Sequence, residues 1–421
     1  MQPALPFPPR QTAEQRPSRQ SVQFPSTTTP LELDELLQRV HHAKVDSPQA
    51  LLLDLSGVRF LLVECLPALI SEIAARHAAG LKTAIRLPQH PDVRGILRTW
   101  RFPQALRNVT DVQFVDYVVP QDHKYFHWFG GDQETREFGL RKWFVGGQVL
   151  SVDDSTERFF SLRHWKVQDF KIGDSPSRFQ RAVLDECTRW VEDSVIKSML
   201  IHHLGEYHGY VWSHVIHEAM SNAFRHGQAK TVLSASKADF DKKTQRDRFL
   251  TLVFWDDGIP IYQSLAARLK INHSIIGSAF EKAEPLSYRA KIELRDGQKL
   301  PEIVISSKQL PNPSSQDHEV LLATLYPGVS SDPEGREHFH HEETEKRSGS
   351  VAVLPGMGLA NLINGAIDIL GGSVAFRSGD YFMNVKGAGA RAKGINYKVK
   401  IEKRWPFSGN MVTVRLPLRG Q

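Results

Sequence analysis

Cysteine is nearly absent from this chain, with only Cys65 and Cys187 in 421 residues. That excludes a disulfide framework and fits a reducing compartment. No apolar run approaches the roughly 20 residues a membrane helix needs, and residues 1–30 lack the apolar core of a signal peptide. A cytoplasmic protein with no membrane contact is expected. Strong charge of one sign is missing as well. The net charge of +6 is spread along the chain, which permits nucleic-acid contact without indicating it. What is present is ordinary globular material: 41% hydrophobic and 24% charged residues allow a sizeable core, and the length suggests about two to three domains.

Against this background three short segments stand out. In His217-Glu-Ala-Met-Ser-Asn-Ala-Phe-Arg-His-Gly227, the apolar spacing from Tyr210 to His226 predicts a helix. Glu218 and Asn222 are four apart and so share a face. A neutral amide oxygen suits a Mg²⁺ that keeps most of its waters, and a neighbouring carboxylate can take the proton of an attacking water or hydroxyl. Next, Phe249-Leu-Thr-Leu-Val-Phe-Trp255 reads as a buried strand that runs into Asp256-Asp-Gly-Ile-Pro260. A carboxylate there is suited to accept a hydrogen bond from a base amino group. Finally, Gly356-Met-Gly358 opens an apolar helix that Gly371-Gly372 ends. Glycine admits close backbone approach, and a helix N-terminus favours phosphate.

Taken in this order, the three segments resemble the nucleotide-binding boxes of the GHKL ATPases, the superfamily with the Bergerat fold. The resemblance runs from Glu206 to Leu418 and closes with Met411-Val-Thr-Val-Arg-Leu-Pro417, similar to the family's last strand. It implies that Glu218 is the general base, Asn222 the Mg²⁺ ligand and Arg225 a phosphate contact. Asp256 would hold the adenine amino group, Gly258 would shape the adenine pocket, and Gly356 and Gly358 would flank the phosphates. ATP and Mg²⁺ are the cofactors this implies. The closest motif likeness is to anti-sigma-factor kinases, which often carry a proline where Pro260 stands. Two features depart from the family. Gly409-Asn410 replaces its Gly-Thr, so a phosphate contact from that spot is not expected. Gly258 and Gly356 also lie 98 positions apart, so a long insertion, about residues 262–351, occupies the place of the ATP lid. It is expected to respond to nucleotide through its charged stretch near Glu334 to Ser350. A hairpin is expected near Lys291 and Glu302. The cluster His338, His340 and His341 lacks a second ligand group and reads as a solvated loop rather than a metal site.

The N-terminal third alternates between helical and strand patterns. Helices are expected at Leu31–His42, Val63–Ala79 and Asp92–Trp100, and strands at Ala50–Leu55, Lys82–Leu87 and Val112–Val118. Alternation of this kind implies a largely parallel sheet covered by helices. With Leu53-Asp-Leu-Ser-Gly-Val-Arg-Phe60 and Val93-Arg-Gly-Ile-Leu-Arg-Thr-Trp-Arg-Phe102, residues 30–120 resemble STAS domains, the fold of anti-anti-sigma factors. Where those proteins carry a phosphorylatable Ser or Thr, this chain has Leu62-Val-Glu-Cys-Leu66. An interaction or dimerisation role is therefore expected there, not a phosphoswitch.

Residues 1–29, rich in Pro, Gln and Ser, read as a flexible tail. Residues 121–205 form a connecting region with an aromatic cluster at Tyr125–Phe129 and a long amphipathic helix from Phe179 to His203. Gly387 to Gly394 reads as a hairpin connection.

The expected fold class is α/β of the α+β sandwich kind, with a STAS-like domain at 30–120 and a Bergerat-fold domain at 206–421. The sequence closes soon after the last strand, so the second, lysine-bearing domain of gyrase-like relatives is not expected. No phosphoacceptor box surrounds His90, His123, His127 or His164. An anti-sigma-like serine/threonine kinase or slow ATPase acting on a partner protein is the leading expectation, with a homodimer allowed. The alternative is a nucleotide-gated interaction module that phosphorylates nothing.

Overall fold

The computed structural model describes residues 21–28, 30–46, 51–90, most of 93–115, 144–145, 148–149, 159–170, parts of 182–186, 211–225, 228–241, 246–271, most of 275–329, 358–389 and 394–418. The N-terminal part runs β1 (Ser21–Gln23), β2 (Thr27–Thr28), α1 (Pro30–Asp46), β3 (Leu51–Asp54), β4 (Phe60–Leu61), α2 (Cys65–Ala78), β5 (Thr83–Arg86), α3 (Phe102–Val109) and β6 (Gln113–Val115). The all-apolar Leu51-Leu-Leu53 is buried on both faces, as a central parallel strand requires. The strands β1-β3-β5-β6 are all parallel in that order, while β2 pairs with β4. After β3 the chain turns on Asp54, whose carboxylate accepts from the Ser56 backbone N–H (3.0 Å) and from Arg86 (2.9 Å).

The flexible tail expected over residues 1–29 is corrected here, because residues 21–28 contain two strands. Val22 and Phe24 are buried between exposed neighbours. That period-two pattern is too short to stand out in a Pro- and Ser-rich stretch.

Next come the short pair β7 (Phe144–Val145) and β8 (Gln148–Val149), then β9 (Phe159–Lys166). Wide π-helical turns over Val211–Ile216 lead into α4 (His217–Arg225), followed by β10 (Thr231–Asp241), β11 (Arg246–Asp256), α5 (Ile261–Lys270), β12 (Ser287–Glu293), β13 (Ile303–Ser306) and α6 (Asp317–Ala323). The chain closes with α7 (Gly358–Ile363), which continues as wide turns over Asn364–Ile369, then β14 (Ser373–Ser378), β15 (Tyr381–Gly387), β16 (Tyr397–Lys403) and β17 (Asn410–Pro417). Nine strands make one mixed sheet in the order β13-β12-β16-β15-β14-β17-β11-β10-β9, antiparallel except where β12 meets β16. The chain is thus α+β around a large mixed sheet. Among the described residues no helix is long and apolar enough to cross a membrane.

Strand alternation gives this sheet two apolar faces. Leu250, Leu252 and Phe254 of β11, with Val412, Val414 and Leu416 of β17, share a core with Ala219 and Met220 of α4 and Leu362 of α7. The in-between residues Val253, Trp255 and Met411, with Leu233 and Ala235, share a core with the N-terminal part. That part sits on the sheet's opposite face. Ser71 of α2 donates to the Ser408 carbonyl (3.3 Å), and the Trp255 indole donates to the same oxygen (3.1 Å). Asp34 of α1 is paired with Arg377 of β14 and lies 3.6 Å from Arg404. The Arg377 guanidinium in turn lies 4.8 Å from the centre of the Phe407 ring.

Burial pushes the Asp34 carboxyl above its ordinary range even though both arginines pull it down. Desolvation therefore outweighs attraction, as it commonly does for an ion pair taken out of water. Removing one partner strands the other. Asp34→Ala is expected to cost about 3–5 kcal/mol in chemical denaturation, and the double variant Asp34→Leu, Arg377→Met to recover most of it. Equal losses in the single and double variants would show that the pair is not what couples these elements.

The insertion expected as a lid over 262–351 is largely part of the fold as far as residue 329. β12 and β13 form the expected hairpin and extend the sheet. Tyr288, Ile292, Leu322 and Tyr326 lie in its core. Residues 330–350, with the three clustered histidines, lie outside the described residues. So do the aromatic cluster 125–129 and most of the helix expected from Phe179 to His203. The connection from Gly387 to Gly394 joins antiparallel neighbours, as a hairpin does.

Candidate functional site

Three polar residues lie in one register row across adjacent strands. Asp256 ends β11 opposite Asn410, the first residue of β17, and Asn410 lies opposite Ser378, the last of β14. Counting by twos from Phe254, Val412 and Phe376 puts all three on the helix-covered face. The Asn410 amide makes four bonds. Its Nδ2 donates to Asp256 Oδ1 (2.9 Å) and to the Ile259 carbonyl (3.0 Å). Its Oδ1 accepts from Ser378 Oγ (2.7 Å) and from the Ile261 N–H (2.9 Å). These partners leave only one orientation for the amide.

Asp256 Oδ1 also accepts from the Gly258 N–H (3.0 Å), the turn geometry that an Asp-x-Gly sequence favours. Both donors reach the same oxygen, and no described residue donates to Oδ2. Burial pushes this carboxyl up to about 8, against the pull of those two donors. Such a group in a sheet-end position is a candidate binding residue, because a ligand donor at Oδ2 would favour its charged form. Its neighbour Asp257 does different work. That carboxylate accepts from the Lys230 (2.6 Å) and Thr231 (2.9 Å) N–H groups and anchors the start of β10.

Gly409 makes the close approach possible. Its φ is +84°, and a Cβ there would lie 1.8 Å from the Asp256 carbonyl oxygen. Gly409→Ala is expected to lower stability by about 3 kcal/mol or more, from left-handed strain and overpacking combined. A melting curve within about one degree of the unaltered protein, well inside the shift such a loss implies, would contradict this geometry.

A second candidate cluster is a helix pair on the same side of the sheet. Glu218 of α4 is buried, and Asn361 of α7 donates its amide N–H to Glu218 Oε1 at 3.1 Å. One turn back along the first helix, His214 meets Gly365, one turn forward along the second. A Cβ on Gly365 would lie 2.5 Å from that of His214, so only glycine lets the helices cross this closely. Burial holds the His214 imidazole below its ordinary range, hence neutral. The two contacts show that the helices run antiparallel. The same progression carries Asn222, half-buried one turn beyond Glu218, toward the start of α7 at Gly358.

Glu218, Asn222, Asp256 and Gly258 thus all belong to the helix-covered side of the sheet, and Gly358 opens α7 as expected. Arg225 is the last residue of α4, but its side chain lies outside the described residues, as does Gly356. Two contributors escaped sequence reasoning. Ser378 sits in an ordinary Arg-Ser-Gly turn. Asn361 lies within an apolar helix, where its partner 143 positions earlier leaves no local signal. Among the described residues no group of three or more His, Cys, Asp or Glu is placed to hold a metal. No protein-family model, no curated protein and no solved structure matches the chain.

Proposed function

We propose that this chain is an intracellular regulatory protein of the GHKL type that binds Mg-ATP on the helix-covered face of its nine-stranded sheet. The observation that carries the reading is Asp256: a buried carboxyl with one oxygen fixed by Asn410 and Gly258 and the other undonated by any described residue. Adenine offers an amino group that suits it. Asn222 would hold Mg²⁺ and Gly356 and Gly358 would flank the phosphates, with Arg225 near them. Glu218 would accept the proton of the attacking group, either water or a protein hydroxyl. The pairing of Glu218 with Asn361 supports the second role, since a base must be oriented before it is useful. The all-parallel N-terminal sheet, which begins with β1 before residue 30, supports a STAS-like domain, the kind of partner module expected of an anti-sigma-like kinase or slow ATPase.

A second reading draws on a separate observation. The N-terminal part docks through Trp255 and the Ser408 carbonyl, each next to a residue of the Asp256–Gly409–Asn410 turn. This contiguity favours a nucleotide-gated interaction module, in which ATP changes the docking of one part on the other. Incubation with labelled ATP, alone and with proteins of the same cell, separates the readings. Label on a serine or threonine supports the kinase, free phosphate the ATPase, and tight binding without either supports the gated module. Failure to bind Mg-ATP by calorimetry would overturn all three.

A further inference from the structure

We propose that Asn361 is a positioning residue for Glu218, aiming the proton acceptor from α7 across to α4. The inference rests on the ATP reading above and deepens it. Its basis is geometric. Glu218 is buried, and a carboxyl on a helix can swing between staggered rotamers unless something holds it. Asn361 Nδ2 reaches Oε1 at 3.1 Å. A carboxylate offers only acceptors, so the amide must present its N–H₂ there. The helix that carries Asn361 is itself held by the His214–Gly365 crossing one turn away, where no side chain larger than hydrogen fits on residue 365. Two rungs between antiparallel helices, one steric and one polar, leave α7 little freedom to slide along α4.

The arrangement joins two motifs. α7 starts at Gly358, at the glycine turn expected to flank the phosphates, and three residues later it carries the group that orients the base.

The test compares Asn361→Ala with the unaltered protein in ATP affinity, turnover and melting temperature, and then repeats Asn361→Ala in a Glu218→Gln background. The expected result is a kcat lowered about 10- to 100-fold, the range of a lost charge-assisted hydrogen bond. ATP affinity should stay within about threefold, since the amide touches no expected nucleotide contact. In the Glu218→Gln background the same substitution should lower the residual rate no further, because residues acting as a unit are not additive. A role in stability alone would lower the melting temperature and reduce the rate equally in both backgrounds, which would overturn the proposal. So would an unchanged kcat in a protein that hydrolyses ATP normally. If the unaltered protein fails to bind Mg-ATP at all, the functional reading itself falls and this inference with it, a different outcome from either of these.

Discussion

Asp256→Asn is expected to abolish useful ATP binding while making the nucleotide-free protein more stable at about pH 8. The substituted amide keeps an oxygen for Asn410 and Gly258 but turns its own N–H₂ toward the place of the undonated Oδ2. A base amino group would then meet donors instead of an acceptor. Loss of a hydrogen bond to a charged group, about 1.5–3 kcal/mol, together with that donor–donor clash, predicts weakening by roughly 100-fold or more. The stability gain follows from the raised carboxyl. An acid shifted from its ordinary range near 3.8 up to about 8 in the folded chain binds protons more tightly folded than unfolded. Stability therefore falls as pH rises from about 4 toward 8 and levels above that. The Asn variant lacks this loss, so its advantage in melting temperature should widen from about pH 5 to about pH 8. The same proton predicts how the unaltered protein binds. A ligand donor needs the carboxylate, so ATP affinity should rise about tenfold per unit from about pH 6 to 8 and flatten beyond. Calorimetry in buffers of different ionisation heat should show about one proton released per ATP at about pH 7. Full affinity in the variant, or a flat pH profile in the unaltered protein, would sink the assignment of Asp256.

Glu218→Gln should do the opposite, leaving ATP binding within about threefold while turnover falls about 10²- to 10⁴-fold, the usual loss of a general base. The substituted side chain keeps an amide oxygen that can still accept the Asn361 N–H, so the helix pair is kept and only the proton acceptor is lost. Release of labelled phosphate measures the rate, and displacement of a fluorescent nucleotide measures affinity. A variant that turns over at nearly the normal rate would leave Glu218 a structural carboxylate between two helices. In that case the gated-module reading, in which no proton needs accepting, becomes the better account.

Much of this architecture was legible in short stretches. The parallel N-terminal sheet could be expected because Leu51-Leu-Leu53 and its neighbours alternate with helical spacing, and a run buried on both faces needs crossovers. The helix carrying Glu218 and Asn222 and the turn at Asp256 were equally local, since helix periodicity and Asp-x-Gly geometry act over a few residues. The hairpin of β12 and β13 showed in its apolar runs. Their place in the main sheet did not, because parallel pairing with β16 joins segments about a hundred positions apart.

By itself, then, the sequence marked much of the N-terminal alternation and the segments around Glu218, Asp256 and Gly358, because local sterics and hydrophobic periodicity act on near neighbours. It did not mark β9, β10, α3 or α6. The resemblance had already singled out Asp256 over Asp257, and the tertiary structure supplies the physical reason. Asp256 faces the helix layer and Asp257 is spent on the backbone of β10, because register alternates the two faces of a strand. The tertiary structure alone also made Asn410 the partner of Asp256, across 154 positions. It brought Asn361 to Glu218 and set the N-terminal part on the far face of the sheet through Asp34 and Arg377. Each of these pairings depends on strand register or helix crossing, and those are settled only when the whole core packs.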